Sequence, residues 1–171
     1  MMRLPTILMG LLISFGVLSM PQPVDEHIPQ AKLVGEGKFT YLFWDVYNAQ
    51  LFAPDGRWQA QAPYALTLTY LRNFDGEDIA VRSREEMEGL GFKDKEKLAS
   101  WEQVMKDIFP DVQEGEQITG IIKADQTTVF YKNQELIGAV EDREFGEQFF
   151  AIWLHENTSE PRLRKKLIGE K

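Results

Sequence analysis

Cysteine is absent from this chain of 171 residues. Disulfides, thiolate nucleophiles, cysteine-ligated metals and lipid attachment through an N-terminal cysteine are all excluded by that one fact. Histidine is scarce: His27 and His155 are the two present, so a transition-metal shell lacks both its sulfur and most of its nitrogen ligands. Neither a glycine-rich phosphate loop nor a G-x-S-x-G nucleophile elbow occurs. The run Asn73-Phe74-Asp75-Gly76-Glu77-Asp78 lacks the alternating acids of a calcium loop and reads as a turn leading into a helix N-cap. No metal and no cofactor is expected. Positive charge is also in short supply, with 19 Lys and Arg against 27 Asp and Glu and a net charge of -8, which repels phosphate backbones and argues against nucleic acid as a partner. The short basic run Arg162, Arg164, Lys165, Lys166 suits the C-terminal end of a helix, where cations offset the helix dipole.

Long hydrophobic runs are missing as well. The best, residues 7–18, is about 12 residues long, against the roughly 20 that a membrane-spanning helix needs. With Arg3 before it and Ser19 and Met20 after it, the segment has the anatomy of a cleaved signal peptide covering residues 1–20. Residues 21–31, with Pro21, Pro23 and Pro29, read as a linker, and residues 32–171 as one domain whose 43% hydrophobic content allows a substantial core. The mature protein is therefore expected to be periplasmic or secreted, with no stable membrane insertion after the signal peptide is removed.

Within the domain, residues 32–58 are rich in aromatic and β-branched residues and close at Pro54-Asp55-Gly56, which predicts two strands and a turn. In residues 63–72 the alternation places Tyr64, Leu66, Leu68, Tyr70 and Arg72 on one face of a third strand and Ala65, Thr67, Thr69 and Leu71 on the other. Helical spacing follows twice. Ile79, Ser83, Met87 and Leu90 share a face, as do Leu98, Trp101, Met105 and Ile108 in a helix stopped by Pro110. Three short strand-like runs over 117–141, a strongly apolar helix over 142–154 that opens on acidic residues, and a shorter helix over 160–167 complete the order. Strands, helices, strands, helices points to α+β rather than a doubly wound parallel sheet.

Most of the many aromatic side chains, Trp44, Tyr47, Trp101 and Trp153 among them, are expected in the core. Arg72 has two readings. It is either the cationic end of an apolar pocket wall or a surface arginine paired with an acid.

Four stretches, LVGEGKFTYLFWDVYNAQLFAPDG, YLRNFDGEDIAVRSREEM, FPDVQEGEQITG and FFAIWLHENTSEPRLRKKLIG, occur in an order that resembles the bacterial chalcone-isomerase-like proteins, relatives of plant chalcone isomerase and of plastid fatty-acid-binding proteins. The resemblance implies an open-faced β-sandwich, an antiparallel sheet covered on one side by a helical layer, with a ligand cleft between sheet and helices. It places the enzyme's strand arginine at or beside Lys38 and its strand threonine near Tyr47. On the helix after the turn, the catalytic tyrosine falls near Ile79, the lysine near Arg82 and the asparagine near Glu86; the substrate-contacting hydroxyl of the last long helix falls near Ile152. Isoleucine neither donates a hydrogen bond nor orients water, so the resemblance implies the fold without the isomerase equipment.

The expected function is binding, without catalysis, of a small amphiphilic carboxylate such as a fatty acid, with Lys38, Tyr47, Arg72, Ile79, Arg82 and Ile152 as the candidate ligand-binding residues. Two alternatives stand beside it: an isomerase or lyase of unknown substrate, and an envelope protein-interaction domain whose cleft is filled by its own aromatics. Export predicts that mass spectrometry of protein from a native envelope fraction will find an N-terminus at residues 20–22; an intact Met1 on cytosolic protein would exclude it.

Overall fold

The computed structural model describes residues 20–61 and 63–170. The expected signal peptide, apart from Met20, lies outside them. The chain runs α1 (Gln22–His27), β1 (Ala31–Tyr41), β2 (Trp44–Pro54), β3 (Tyr64–Tyr70), α2 (Gly76–Gly89), α3 (Lys95–Ile108), β4 (Gln117–Ile122), β5 (Thr128–Lys132), β6 (Glu135–Val140), α4 (Arg143–Leu154) and α5 (Pro161–Leu167). The strands form one antiparallel six-stranded sheet in the order β1-β2-β3-β4-β5-β6. The α+β class expected from the residue patterns and the antiparallel sheet implied by the resemblance are both present.

Strand alternation sorts the sheet into two faces. On one, Leu51, Tyr64, Leu66, Leu68, Tyr70, Ile118 and Phe130 meet buried residues of α2 to α5 in the main core. Aromatic edges and faces interlock there: Phe130 lies T-shaped against Phe109, Phe145 and Phe149, with centroids at 5.0, 6.2 and 5.1 Å. Helix α4 begins at Asp142, whose carboxylate accepts from the Glu144 N–H at 2.9 Å and from Trp101 Nε1 at 3.0 Å. One residue therefore caps α4 and ties α3 to it. Helix α3 is capped in the same way by Asp94, which accepts from the Lys97 N–H, and stops at Phe109 before Pro110. At the start of α2 the side chain of Asp75 caps nothing; Asp111 Oδ1 accepts the Gly76 N–H instead, at 2.9 Å. Helix α5 closes over β1, where a Cβ on Gly35 would stand 2.0 Å from the Lys166 carbonyl oxygen. Only glycine permits that approach.

The linker expected over residues 21–31 is replaced by structure. Helix α1 spans most of it and β1 begins at Ala31. Proline at the first turn of a helix costs no hydrogen bond, so Pro21 and Pro23 mark a helix start here. Val24 and Ile28, four residues apart and fully buried, cover Phe52, Ala65, Ile121, Val129 and Tyr131 on the sheet face opposite the main helices. His27 Nε2 and the Tyr131 hydroxyl share a hydrogen bond of 2.7 Å. Replacing Ile28 by alanine should cost about 2–4 kcal/mol of stability in urea unfolding; a change below about 0.5 kcal/mol would mean that α1 is not part of the cooperative unit.

Candidate ligand cavity between sheet and helices

A cavity of about 370 Å³ opens between the sheet and the helical layer. Its sheet wall is a row of cross-strand neighbours. Phe39 of β1 pairs in register with Tyr47 of β2, which pairs with Tyr70 of β3. The rings follow the register, Phe39 and Tyr47 at 5.1 Å and Tyr47 and Tyr70 at 6.1 Å. Val46, Leu68 and Ile118 extend this wall. From α2 come Asp78, Ile79, Arg82, Ser83 and Glu86, which recur every three or four residues and so share one helical face. Helix α4 contributes Phe149, Ile152 and Trp153, and the segment after it contributes Ser159 and Glu160.

Two phenols supply most of the polarity inside. Trp153 Nε1 donates to the Tyr47 oxygen at 3.0 Å, which leaves the Tyr47 proton free to be given elsewhere. Tyr70 is 4% exposed, and its hydroxyl has no hydrogen-bond partner among the described residues. Burial raises the pKa of both far above the ordinary tyrosine value. Each is thus a neutral O–H donor throughout the physiological range. Ser83 is not a free donor, because its hydroxyl bonds the Ile79 carbonyl at 2.8 Å.

The charged rim is mostly acidic. Asp78, Glu86 and Glu160 stand there against one cation among the described residues, Arg82. Arg82 bonds Glu86 and lies 3.6 Å from Glu85, while Ser159 Oγ donates to the other oxygen of Glu86 at 2.8 Å. Arg82 is well exposed, so these pairs hold its position more than they stabilise the fold.

Of the candidate residues, the structure brings Tyr47, Ile79, Arg82 and Ile152 together around the cavity and leaves Lys38 and Arg72 outside it. Lys38 points to the opposite face of β1, where its Nζ meets Asp45 at 2.7 Å; Phe39, one residue on, takes the inward position. An offset of one residue in the resemblance reverses the face. Arg72 misses because β3 ends at Tyr70 and the alternation ends with it. Its guanidinium sits 4.3 Å above the ring of Trp44, which is neither a pocket end nor a carboxylate pair. Trp44 is itself exposed, against the expectation of a core position, whereas Trp101 is buried. Reasoning from the sequence passed over Phe39, Phe149 and Trp153 as cavity residues, although Phe149, Ile152 and Trp153 carry the three- and four-residue spacing that would have joined them.

Residues 17–169 match a protein-family model described as chalcone isomerase-like. The chain belongs to the chalcone-isomerase-like family. A family likeness extends to a Haemophilus influenzae protein, itself described as uncharacterized, which is 27% identical over 138 residues, 80% of this chain and 67% of that one. The crystal structure of an Arabidopsis thaliana fatty-acid binding protein superposes with a TM-score of 0.64 at 13% identity, covering 82% of this chain and 87% of that one. At such low identity the likeness establishes the chalcone-isomerase-like fold, an open-faced α+β sandwich, and no more.

The buried phenols give the chalcone-isomerase-like domain a defined response to alkali. Tyr47, Tyr64 and Tyr70 all have raised pKa values in the folded chain, first through burial. Above about pH 10 the unfolded chain loses tyrosine protons that the folded chain retains, so stability must fall as pH rises through that range. In an absorbance titration near pH 10, Tyr47→Phe and Tyr70→Phe should leave the phenolate signal of the folded protein unchanged. A lost step in either variant would show that its hydroxyl is open to water.

Proposed function

We propose that this chain is a binding protein, without catalysis, for a small amphiphilic carboxylate such as a fatty acid. One observation carries the reading: a largely apolar cavity of about 370 Å³ contains two neutral phenolic donors with no protein acceptor for their protons. A volume in this range suits a small organic ligand. The apolar body lies against Phe39, Leu68, Ile79, Phe149 and Ile152, each buried methylene contributing roughly 0.8 kcal/mol. The head accepts hydrogen bonds from Tyr47 and Tyr70, and Arg82 exchanges part of its contact with Glu86 for the ligand's carboxylate.

The absence of catalysis is argued from the chemistry of the wall. Cyclisation of an enone requires a held oxyanion and a positioned, activated nucleophile. Ile79 and Ile152 offer no donor at the positions where the resemblance places catalytic and substrate-contacting hydroxyls, and Glu86 is already bonded by Arg82 and Ser159. An interaction domain with a self-filled cleft is less well supported, because the cavity is open while Tyr47 lines it. The export expected from residues 1–20 is part of the same proposal, which makes this an envelope carrier.

Native mass spectrometry of gently purified protein should detect a co-purifying small acid, identified after extraction. Titration with a panel of fatty acids and phenolic acids should saturate, with Tyr70→Phe or Arg82→Met weakening binding by about 1–3 kcal/mol, roughly five- to 150-fold, at unchanged folding. No saturable binding by any member of the panel, together with an empty native protein, would overturn the carrier reading. Chalcone turnover well above the spontaneous rate would overturn its non-catalytic half.

A further inference from the structure

We propose that the tip of the β1–β2 hairpin is a peripheral membrane anchor that seats this end of the domain on a lipid surface. The inference does not depend on what fills the cavity. Tyr41, Leu42, Phe43 and Trp44 follow one another at the tip and are 59%, 73%, 93% and 56% exposed. None of them belongs to either buried cluster. Tyr41 and Trp44 are register partners, so Leu42 and Phe43 form the whole of a two-residue turn.

Leu42 has φ 54°, a left-handed conformation that hairpin turns normally assign to glycine or asparagine. The fold gains nothing from a leucine there, since the side chain projects into solvent at some conformational cost. The order of residues matches the profile of a lipid interface. Two wholly apolar side chains form the apex, and the amphipathic rings of Tyr41 and Trp44 flank them at the depth where such rings prefer to sit, between acyl chains and headgroups.

Charge at the base of the tip agrees. Arg72 is exposed and lies over Trp44 at 4.3 Å, and among the described residues it has no carboxylate partner. An unneutralised guanidinium beside an inserted indole is placed to meet a lipid phosphate. A protein partner fits less well. Stable protein interfaces draw on about 20–30 residues and roughly 800 Å² on each side, whereas this patch is four residues on a protruding turn bordered by the exposed, polar Thr40 and Asp45. Insertion into lipid needs no matching surface, since each apolar side chain gains separately.

The anchor shares its strands with the cavity. Phe39, Val46 and Tyr47 line the cavity and lie within a few residues of the tip on β1 and β2, which is a separation of about 7–10 Å along a strand. Docking through the tip therefore brings the sheet wall of the cavity close to the bilayer surface.

The test is co-sedimentation of the full chain with vesicles of phosphatidylethanolamine and phosphatidylglycerol, comparing wild type with the double variant Leu42→Gly/Phe43→Ser. Residues 1–19 are common to both, so their own contribution cancels in the comparison. The double variant should keep the wild-type circular dichroism and melting, because neither side chain is in the core, and should bind about tenfold or more weakly. Arg72→Gln should reduce the preference for these anionic vesicles over phosphatidylcholine about fivefold. Brominated acyl chains should quench part of the wild-type tryptophan fluorescence, and that part should vanish in Trp44→Phe. Equal vesicle binding by wild type and the double variant, quenching that survives Trp44→Phe, or no vesicle binding at all would each overturn the proposal. Concentration-dependent dimers that the double variant abolishes, without vesicle binding, would assign the tip to a second copy of this chain instead.

Discussion

A pleated strand sends alternate side chains to opposite faces, and this sheet has different work for each face. On β3, Tyr64, Leu66, Leu68 and Tyr70 turn toward the helices while Ala65 and Thr67 turn away. A slip of one residue would exchange the two sets and place threonines in the aromatic core. Side-chain hydroxyls on the far face resist that slip. Thr67 and Thr119 are fully buried and bond each other at 2.9 Å across β3 and β4, and Gln117 donates to Thr69 at 3.1 Å on the same seam. The row Phe39, Tyr47, Tyr70 exists only in this register, so the cavity inherits its polar groups from the pairing of strands.

The helical side is held with similar economy. Trp153 packs on Phe149 at 5.4 Å and gives its N–H to Tyr47, so one side chain both walls the cavity and links α4 to the sheet. Farther along, Arg164 donates to the Leu154 carbonyl at 2.8 Å, which satisfies an orphan acceptor at the end of α4. Arg164 thus serves the end of α4 while standing, with Lys165 and Lys166, in the last turn of α5, where positive charge offsets the helix dipole. With its walls fixed from both sides, the space between them is a property of the packed fold, and the phenols face it already oriented.

Much of this arrangement was legible in the residues, because it depends on periodicity. The change from strand to helix spacing, the acidic opening of the helix near residue 142 and the inward face of β3 are all local signals, and the structure follows them; the N-cap expected in residues 73–78 is not made by Asp75. What escaped notice depends on parity or on surface shape. Lys38 and Phe39 are adjacent, and only the pairing with β2 decides which of them looks inward. Arg72 continues the alternation of its strand on paper, but the strand has ended two residues earlier. Helix α1 has six residues, too few to display a period, and its prolines read equally well as a linker. The aromatic run through Trp44 looks like a buried strand because leucine and phenylalanine carry no turn signal. Cavity volume depends on rotamers, which no pattern of residue types records.

The meander order has a kinetic meaning. Five strand pairings are possible between neighbours in the sheet order, and four of them join strands separated by short connections, so they close with little loss of chain entropy. The pairing of β3 with β4 is different, because α2 and α3 lie between them. Loop closure across that span cannot be repaid until the two helices have docked on each other and on the sheet. The seam that carries Leu68 and Ile118 therefore closes the longest connection in the sheet and carries the largest closure cost of the five. The continuity of the sheet at its centre is thereby coupled, through the chain's own order, to the helix pair that spans β3 and β4.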